Sequence, residues 1–510
     1  MSRESETREH EVVVLGAGPA GCAAAIVLAR AGRDVGLVRP SSTVQGALCV
    51  SVPPSACKLL TEIDVLSALE RAALHPNTGN TVWWAGRPVR RESFAAGASG
   101  FHVDRQGLEN VLAAVAAERG VTIHRALARS AREEAGTWRI ECSRADGSRL
   151  GLRAPWAIDA TGRRGLLARH HGREPDHDTT TICILGRWRM PGGWPVDEAT
   201  HTLVESYVSG WAWSVPLARG VRCFAAMVDH RYGTLEGLDP ATMLTAELMR
   251  TEHLKALLRG AEPDGAPWAC PASLYSSRRH GRPGLLLAGD AGSFIDPLSS
   301  YGAKKALSSG WLAALVAHTA LSDPSMEPVA LELFDRRERE VYHSYRAASA
   351  PYFAEAAAAY GHPYWIARAE AAARHGEHGG RAAHADPDAL EPWGVPEARV
   401  REAFDVLRAR ERLDAVRGST LRTVERGAVS GDRVVLATHL ASDACPEGLR
   451  FVRSVDVRPL VELAVRHDDV AELWAAYNAA AAPVPLPDFV TALATAFAAG
   501  LLEHAEARSR

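Results

Sequence analysis

The chain has 510 residues, 47% of them hydrophobic and 23% charged, with a formal net charge of −3. This length accommodates two or three domains with sizeable cores. The small net charge gives no indication of nucleic acid or of an anionic membrane as a partner. The eight cysteines include no CxxC pair, so we expect reduced thiols and no metal site. With no secretory signal and no apolar run long enough to span a bilayer, we expect a cytoplasmic protein.

The first predicted unit lies at the N-terminus. Residues 11–15 predict a buried strand, a GxGxxG motif follows at 16–21, and an Ala-rich helix leads to a second strand at 34–38. In such a unit the first glycine permits a tight turn, the second lets the backbone approach a pyrophosphate, and the third lets the helix pack on the strand. The residues that we assign to dinucleotide binding here are Gly16, Gly18, Ala20 and Gly21.

The middle of the chain predicts further α/β elements and then a change of pattern. A proline-opened helix begins near residue 52, and a helix over 102–119 has Asp104 as its N-cap. Short strands follow as far as Gly162. Between residues 179 and 230 the pattern of alternating strands predicts a separate sheet that covers the substrate.

A second motif occupies residues 284–303, Gly-Leu-Leu-Leu-Ala-Gly-Asp-Ala-Gly-Ser-Phe-Ile-Asp-Pro-Leu-Ser-Ser-Tyr-Gly-Ala. A short strand leads to Asp290, a loop contains Pro297, and a helix begins after Gly302. The carboxylate can accept hydrogen bonds from a hydroxylated chain. The helix N-terminus offers unpaired N–H groups and partial positive charge to a developing anion. The pattern is that of a second flavin-binding motif.

Arg39 departs from the usual pattern of such a unit, because the second strand ordinarily ends in an acid that holds the adenosine ribose. An arginine at this position can bind a 2′-phosphate, as in NADP, or stack on the adenine while backbone groups hold the ribose. The motif around Asp290 favours FAD, since a nicotinamide dinucleotide needs no such second site. We therefore predict FAD.

The predicted fold is α/β, with a Rossmann-like FAD-binding domain, an antiparallel substrate-binding sheet domain and a helical C-terminal appendage. We predict that the FAD-binding domain is discontinuous and that a helical linker precedes the appendage. The FAD-binding domain comprises residues 1–80, 100–180 and 275–350, and the sheet domain comprises 81–99 and 181–274. The linker covers 351–396 and the C-terminal appendage 397–510. The helical periodicity after residue 455 resembles a small winged-helix or peptide-clasping module, and a lid that packs on the core is the alternative.

Four motifs occur in order: the two flavin motifs, Asp159-Ala-Thr-Gly162 between them, and Gly210-Trp-Ala-Trp-Ser-Val-Pro216. Together they resemble the FAD-dependent monooxygenase superfamily of the p-hydroxybenzoate hydroxylase fold, on the branch that includes flavin-dependent halogenases. The resemblance covers about residues 11–350. It implies that the N-terminal glycines bind the FAD pyrophosphate and that Asp159 and Gly162 belong to the site or only shape a turn. The other cofactor contacts that it implies are Arg105, Asp290, Pro297, Ser300 and Gly302.

The resemblance to halogenases is incomplete. The WxWxVP sequence at 211–216 resembles their WxWxIP motif, yet two tryptophans at this spacing also commonly pack a core. Halogenases use a lysine on the strand after the proline-opened helix, and residues 77–84 contain none. Ser299 and Tyr301 replace a Glu and a Thr of tryptophan halogenases. We therefore expect hydroxylation of an aromatic ring through a flavin C4a-hydroperoxide, with halogenation as the alternative.

The expected substrate is an indole or a phenol, either a small molecule or bound to a peptide or carrier. Electrons come from NAD(P)H at the flavin face or from a separate flavin reductase. A dehydrogenase that does not use oxygen is a further alternative. Flavoproteins that hydroxylate a tryptophan inside a peptide are also similar, and the C-terminal appendage would then clasp that peptide. The candidates for the pocket and for proton transfer are Trp83, Trp84, Trp211 and Trp213, with Tyr301 or His102.

Overall fold

The computed structural model describes residues 6–41, 48–72, 74–95, 97–217, 220–232, 237, 239–376 and 395–505. The chain forms two compact units. The first is Met1–Arg374 with Gly431–Arg433, and the second is His375–Ser430 with Val434–Arg510. Residues 377–394, in the C-terminal half of the predicted linker, lie outside the described residues.

Helices occur in both units. In chain order they are α1 (Pro19–Arg30), α2 (Cys57–Glu62), α3 (Leu66–Arg71), α4 (Arg105–Glu118), α5 (Pro240–Leu248), α6 (His253–Leu257), α7 (Gly302–Ser322), α8 (Glu327–Tyr360), α9 (Pro363–Gly376), α10 (Glu397–Ala409), α11 (Val457–Ala464), α12 (Val470–Ala480) and α13 (Leu486–Ala498).

A six-stranded sheet forms the FAD-binding layer of the first unit. Across the sheet its strands are Gly281–Arg282, Leu285–Leu287, Trp156–Asp159, Val12–Leu15, Val35–Arg39 and Thr122–Arg125. Neighbouring strands are parallel except for the antiparallel first pair. The central strands are short, apolar and buried, as expected for a parallel sheet covered on both faces. The predicted Rossmann-like layer is confirmed.

Smaller sheets flank this layer. A four-stranded sheet consists of Glu6–Glu9, Arg149–Ala154, Thr137–Ser143 and Leu127–Glu134; one three-stranded sheet of Arg173–Pro175, Tyr275–Ser277 and Ser293–Phe294; and another of Cys49–Val52, Gly100–Asp104 and His75–Asn77. His102 therefore lies on a strand, and α4 begins three residues later than the sequence pattern indicates.

The predicted second sheet is present and has eight strands. Its order is Glu262–Pro263, Ile182–Arg189, Val221–Val228, Gly210–Pro216, His201–Tyr207, Gly79–Trp83 and Arg90–Ser93, with Trp268–Pro271 also paired to Ile182–Arg189. The pairs are antiparallel, apart from the parallel pair of His201–Tyr207 with Gly79–Trp83. Helices α5 and α6 cover one face, and α8 and α9 contribute aromatic side chains to the other.

The second unit contains the expected C-terminal helices, α10 to α13, around an apolar core that includes Leu460, Tyr477 and Phe489. It also contains strands, which the sequence pattern did not indicate. Ala415–Arg417 pairs with Leu502–His504, and Phe451–Val452 pairs with Val455–Asp456. Among the helices of the described ranges, none combines the length and the apolar character required to cross a membrane.

Candidate functional site

The N-terminal glycine turn packs tightly against the neighbouring backbone at Gly16 and Gly21. Gly16 has φ +102°, and a Cβ there would lie 2.4 Å from the carbonyl oxygen of Ala160. A Cβ at Gly21 would lie 1.8 Å from the carbonyl oxygen of Gly16, so only glycine fits. Helix α1 begins at Pro19 with Gly18 as its N-cap, and no side chain caps it. Ala20 lies in this first turn, whose N–H groups suit a bound diphosphate.

Arg105 lies beside this turn at the start of α4. Asp104 caps the helix by accepting a 2.8 Å hydrogen bond from Gly107 N, as the sequence indicated. Arg105 Nε donates to Glu109 Oε1 at 2.7 Å. A Cβ at Gly18 would lie 3.7 Å from Arg105 Nη2, so the guanidinium flanks the turn.

Arg39 ends its strand directly opposite Arg125. Its guanidinium donates a hydrogen bond to Asn110 Oδ1 on α4. A cavity of about 200 Å³ opens here, lined by Arg39, Pro40, Ser41, Gln106, Asn110 and Arg125. Two arginines therefore stand at the carboxyl edge of the sheet, where a dinucleotide of this fold places its adenosine.

Asp290 lies in a 3-10 turn that follows the strand Leu285–Leu287. Its backbone carbonyl accepts a 2.6 Å hydrogen bond from Tyr275 Oη, and no described residue donates to its carboxylate. A half-buried carboxylate without a donor is well suited to accept hydrogen bonds from a ligand's hydroxyl groups.

Helix α7 is held close to α1, because a Cβ at Gly310 would lie 2.0 Å from the carbonyl oxygen of Ala20. Its N-terminus follows a 3-10 turn, Pro297–Ser299, and Ser300 adopts the left-handed conformation with φ +57°. A Cβ at Gly302 would meet nothing within 4 Å, so the start of α7 borders open space. The Tyr301 ring lies beside it, 5.5 Å from the ring of Tyr345.

Two lysines in the first turn of α7 belong to this region, and the sequence analysis assigned neither of them a role. Lys305 is 3% exposed, and its Nζ donates to the backbone carbonyls of Gly289 at 2.7 Å and Ser293 at 2.6 Å. Burial lowers the pKa of Lys305. Lys304 Nζ donates to Ser55 Oγ at 3.0 Å. The sequence did contain a signal for them, because two of the chain's four lysines stand directly after the start of the helix that follows the flavin motif.

Three of the four predicted pocket tryptophans share one face of the eight-stranded sheet. Trp84 lies 6.5 Å from Trp211, ring to ring, and its Nε1 donates to the Tyr352 carbonyl at 3.0 Å. Trp211 is buried, and Trp213 is partly exposed on the same face. The inclusion of Trp83 is wrong, because its ring packs in the cluster of the other face and stacks on His253 at 4.4 Å.

The structure does not favour His102 as a proton-transfer group. His102 is 1% exposed, and its Nε2 donates to the Thr200 carbonyl at 3.1 Å. Burial lowers the pKa of His102 to about 3, so its imidazole stays neutral at physiological pH. Its environment is that of a packed core residue.

Asp159 shapes a turn. Its buried carboxylate accepts hydrogen bonds from the backbone N–H groups of Thr161, Leu167 and Ala168 at 2.7–3.0 Å. These bonds support the interpretation that Asp159 shapes the turn, rather than the alternative that it contacts the cofactor.

The site fits FAD in three respects. The turn leaves no room for a side chain at Gly16 or Gly21, and the starts of α1 and α7 have no side-chain cap. The Asp290 carboxylate accepts no hydrogen bond from the described residues. Within the described residues, no group of three or more His, Cys, Asp or Glu side chains could hold a metal ion.

Comparisons with known proteins find similarity to FAD-dependent enzymes. Residues 11–174 match the family model of FAD dependent oxidoreductases. A tryptophan 2-halogenase of Chondromyces crocatus is 28% identical over 354 residues, which cover 64% of this chain and 64% of that protein. The chain thus spans just under two thirds of that relative's length.

Two solved structures share the fold over nearly the whole chain. The flavin-dependent halogenase CmlS superposes with a TM-score of 0.78 at 18% identity, covering 98% of this chain and 97% of CmlS. QhpG, a peptidyl tryptophan dihydroxylase essential for tryptophylquinone cofactor biogenesis, has a TM-score of 0.65 at 22% identity, with coverages of 97% and 100%. Residues 11–174 are therefore similar to FAD dependent oxidoreductases, and the chain as a whole shares its fold with a flavin-dependent halogenase and a peptidyl tryptophan dihydroxylase.

Proposed function

We propose that this protein uses FAD and molecular oxygen to halogenate an electron-rich aromatic substrate. The observation that carries the aromatic assignment is the face formed by Trp84, Trp211 and Trp213, which packs with Phe294 and Leu298 of the second flavin motif. Flat aromatic walls favour a flat aromatic ligand through stacking and edge-to-face contacts. Bound FAD would supply the activation of oxygen.

The residues of the chain take separate roles in this proposal. The turn at Gly16, Gly18 and Gly21 holds the diphosphate, and the Asp290 carboxylate accepts hydrogen bonds from the sugar-alcohol chain. The uncapped start of α7 directs N–H groups toward the ring system. The tryptophan face excludes water and orients the substrate. Tyr301, at the N-cap of α7, is the residue we place closest to proton transfer.

Halogenation comes first because the comparisons favour it over hydroxylation, reversing the order drawn from the sequence. A tryptophan 2-halogenase and CmlS are both similar to this chain. Lys304 offers an amine in the first turn of α7, within hydrogen-bond distance of Ser55 in the proline-opened segment. It is the lysine we assign to this chemistry in place of one at residues 77–84.

Hydroxylation is the second candidate, and the observation that supports it is the buried side chain of Asn77. This residue begins the stretch where halogenases carry a lysine, is 2% exposed and donates from Nδ2 to Ser51 Oγ at 2.8 Å. A buried amide of this kind provides no amine for halogen transfer. The substrate of either reaction is a free indole or phenol, or a peptide- or carrier-bound ring.

The deciding experiment supplies purified protein with FAD, a flavin reductase, NADH, oxygen and a panel of indoles and phenols, with and without bromide. We expect a product with the bromine isotope pattern only when bromide is present. Oxygen incorporation that does not depend on halide, followed with ¹⁸O₂, would establish hydroxylation instead. Oxidation of substrate without incorporation of oxygen or halogen would overturn both candidates and indicate a dehydrogenase.

A further inference from the structure

Two cysteines face each other across neighbouring strands of the eight-stranded sheet. Cys183, in Ile182–Arg189, is the direct antiparallel partner of Cys270, in Trp268–Pro271. Directly opposed residues of antiparallel strands have Cα atoms about 4.5 or about 5.5 Å apart. Both separations fall within the range of about 4.4–6.8 Å that a disulfide spans. The backbone therefore already has the spacing that a bond between the two cysteines requires. Both thiols are free in this structure.

The two thiols differ in accessibility. Cys183 is 4% exposed, whereas Cys270 is only partly buried, at the margin of the sheet. Both sulfur atoms belong to the same apolar cluster as Trp211 and Trp213. Cys270 is the more exposed of the two, so a small, uncharged oxidant would meet Cys270 before Cys183.

A cation from the FAD-binding layer contacts the accessible thiol. Arg163 follows the turn at Gly162, and its Nη1 donates to Cys270 Sγ at 3.5 Å. The same guanidinium lies 4.5 Å above the ring of Phe294. It is therefore held between the second flavin motif and the cysteine.

These contacts favour one arrangement of charge within the pair. The hydrogen bond that Cys183 donates and the nearby charge of Arg163 lower the pKa of Cys270. The bond to Cys270 and burial together raise the pKa of Cys183. Both effects favour a thiolate on Cys270, the nucleophilic form of cysteine, with the proton on Cys183.

We propose that Cys183 and Cys270 form a peroxide-reactive thiol pair that closes to a cross-strand disulfide beside the flavin motif. In the first step the Cys270 thiolate attacks one oxygen of hydrogen peroxide, the O–O bond breaks, and hydroxide leaves and is protonated to water. Cys270 is then a sulfenic acid. In the second step the Cys183 sulfur attacks Cys270, the S–O bond breaks, and a second water leaves with the Cys183 proton. Two thiols lose two electrons, and one peroxide becomes two waters.

Hydrogen peroxide is the oxidant, and the pair would intercept it at the place where a reduced flavin meets oxygen. Closure removes the negative charge that faces Arg163 and links the short strand Trp268–Pro271 covalently to Ile182–Arg189. This inference does not depend on whether the enzyme halogenates or hydroxylates its substrate.

In the test, FAD-loaded protein with reduced thiols is treated with increasing concentrations of hydrogen peroxide. The remaining free thiols are then blocked with an alkylating agent, and the cysteines are mapped by peptide mass spectrometry. We expect a Cys183–Cys270 disulfide that dithiothreitol reverses. In Cys183→Ser, dimedone should label Cys270 as a trapped sulfenic acid. In Cys270→Ser, Cys183 should remain reduced.

Cys57 is the matched control, because it is the other partly buried cysteine of the described residues and burial raises its pKa. Near neutral pH, Cys270 in the untreated protein should be alkylated about tenfold faster than Cys57. FAD absorbance and circular dichroism check that the variants are folded. Equal alkylation rates for Cys270 and Cys57, or peroxide oxidation of Cys57 before any Cys183–Cys270 disulfide forms, would overturn the proposal.

Discussion

The ammonium group of Lys305 donates a 2.7 Å hydrogen bond to the backbone carbonyl of Gly289, the residue that precedes Asp290. A second bond, to the carbonyl of Ser293, holds the other end of the same loop. A buried side chain of α7 thus connects the two ends of the turn that presents the Asp290 carboxylate. Lys305 is a positioning residue for the cofactor site, because its own polar atoms are directed into the protein.

We expect Lys305→Met to weaken both folding and FAD binding. It removes the charged donor from two buried carbonyls, of which that of Gly289 keeps its 3.1 Å bond from Gly292 N. The cost is up to about 1–3 kcal/mol for each carbonyl, offset in part because an ammonium is no longer buried. The net loss should be about 2 kcal/mol in the free energy of unfolding, measured by urea denaturation, with a clear rise in the FAD dissociation constant. Lys58→Met, at an exposed position of α2, is the control. Equal FAD affinity in both variants would contradict the positioning role.

Asp290→Asn tests the carboxylate while keeping its shape. A hydrogen bond to a charged group contributes about 1.5–3 kcal/mol, so the FAD dissociation constant of the apoprotein should rise about 10- to 100-fold. Flavin fluorescence titration measures this change. Asp239→Asn, at the exposed N-cap of α5, should leave FAD binding unchanged. An unaltered affinity in Asp290→Asn would remove this residue from the cofactor site.

His102 makes stability depend on pH. Burial lowers the pKa of His102 from 6.5 to about 3, so below pH 6.5 the unfolded chain binds a proton that the folded chain excludes. The contribution of His102 to the free energy of unfolding is fully present above pH 6.5 and decreases as the pH falls. At about pH 4 it has decreased by about 3 kcal/mol. Urea midpoints of the apoprotein at a series of pH values measure it. His102→Gln keeps an N–H for the Thr200 carbonyl and should flatten the curve; an identical slope in variant and parent would refute the assignment.

Trp213→Ala should impair the use of substrate without releasing FAD. The partly exposed indole lies on the face beside the second flavin motif. The loss of one aromatic contact should lower kcat/KM about tenfold, equivalent to about 1.4 kcal/mol. Trp83→Ala removes an indole from the opposite face and should leave kcat/KM unchanged. Equal effects of the two changes on kcat/KM would indicate that the face does not contact the substrate.

Lys304→Met separates the two candidate reactions. If Lys304 supplies the amine for halogenation, the variant should lose about 100-fold or more in halide incorporation while it keeps FAD and reacts with oxygen. Hydroxylation would be little affected. Full halide incorporation by the variant would exclude Lys304 from the chemistry, and the bromide experiment decides separately whether the parent protein halogenates at all.

Much of the cofactor-binding layer could be predicted from short sequence spans. The glycine turn at 16–21 and the strand that leads to Asp290 are local patterns, in which neighbouring residues set the backbone geometry. Asp104 was identified as an N-cap for the same reason, since its partner, Gly107 N, is three residues away. Alternation indicated the strands of the eight-stranded sheet that lie between residues 179 and 230.

Other features depended on which strands and helices meet. Alternation places Trp83 and Trp84 on opposite faces of a strand, but only the packing shows that Trp84 joins Trp211 and that Trp83 stacks on His253. His102 looked like a helix-start residue, and its strand pairing with Cys49–Val52 buries it instead. Local patterns do not contain this information.

The sequence by itself determined the type of cofactor and indicated the two segments that we propose receive it, because those segments are built from contacts within a few residues of the chain. The tertiary structure alone decided that Lys305 supports the Gly289 turn, that Cys183 faces Cys270, and that Arg163 reaches that thiol. The physical reason is strand register and helix packing, which bring together side chains far apart in the sequence and set their burial and charge.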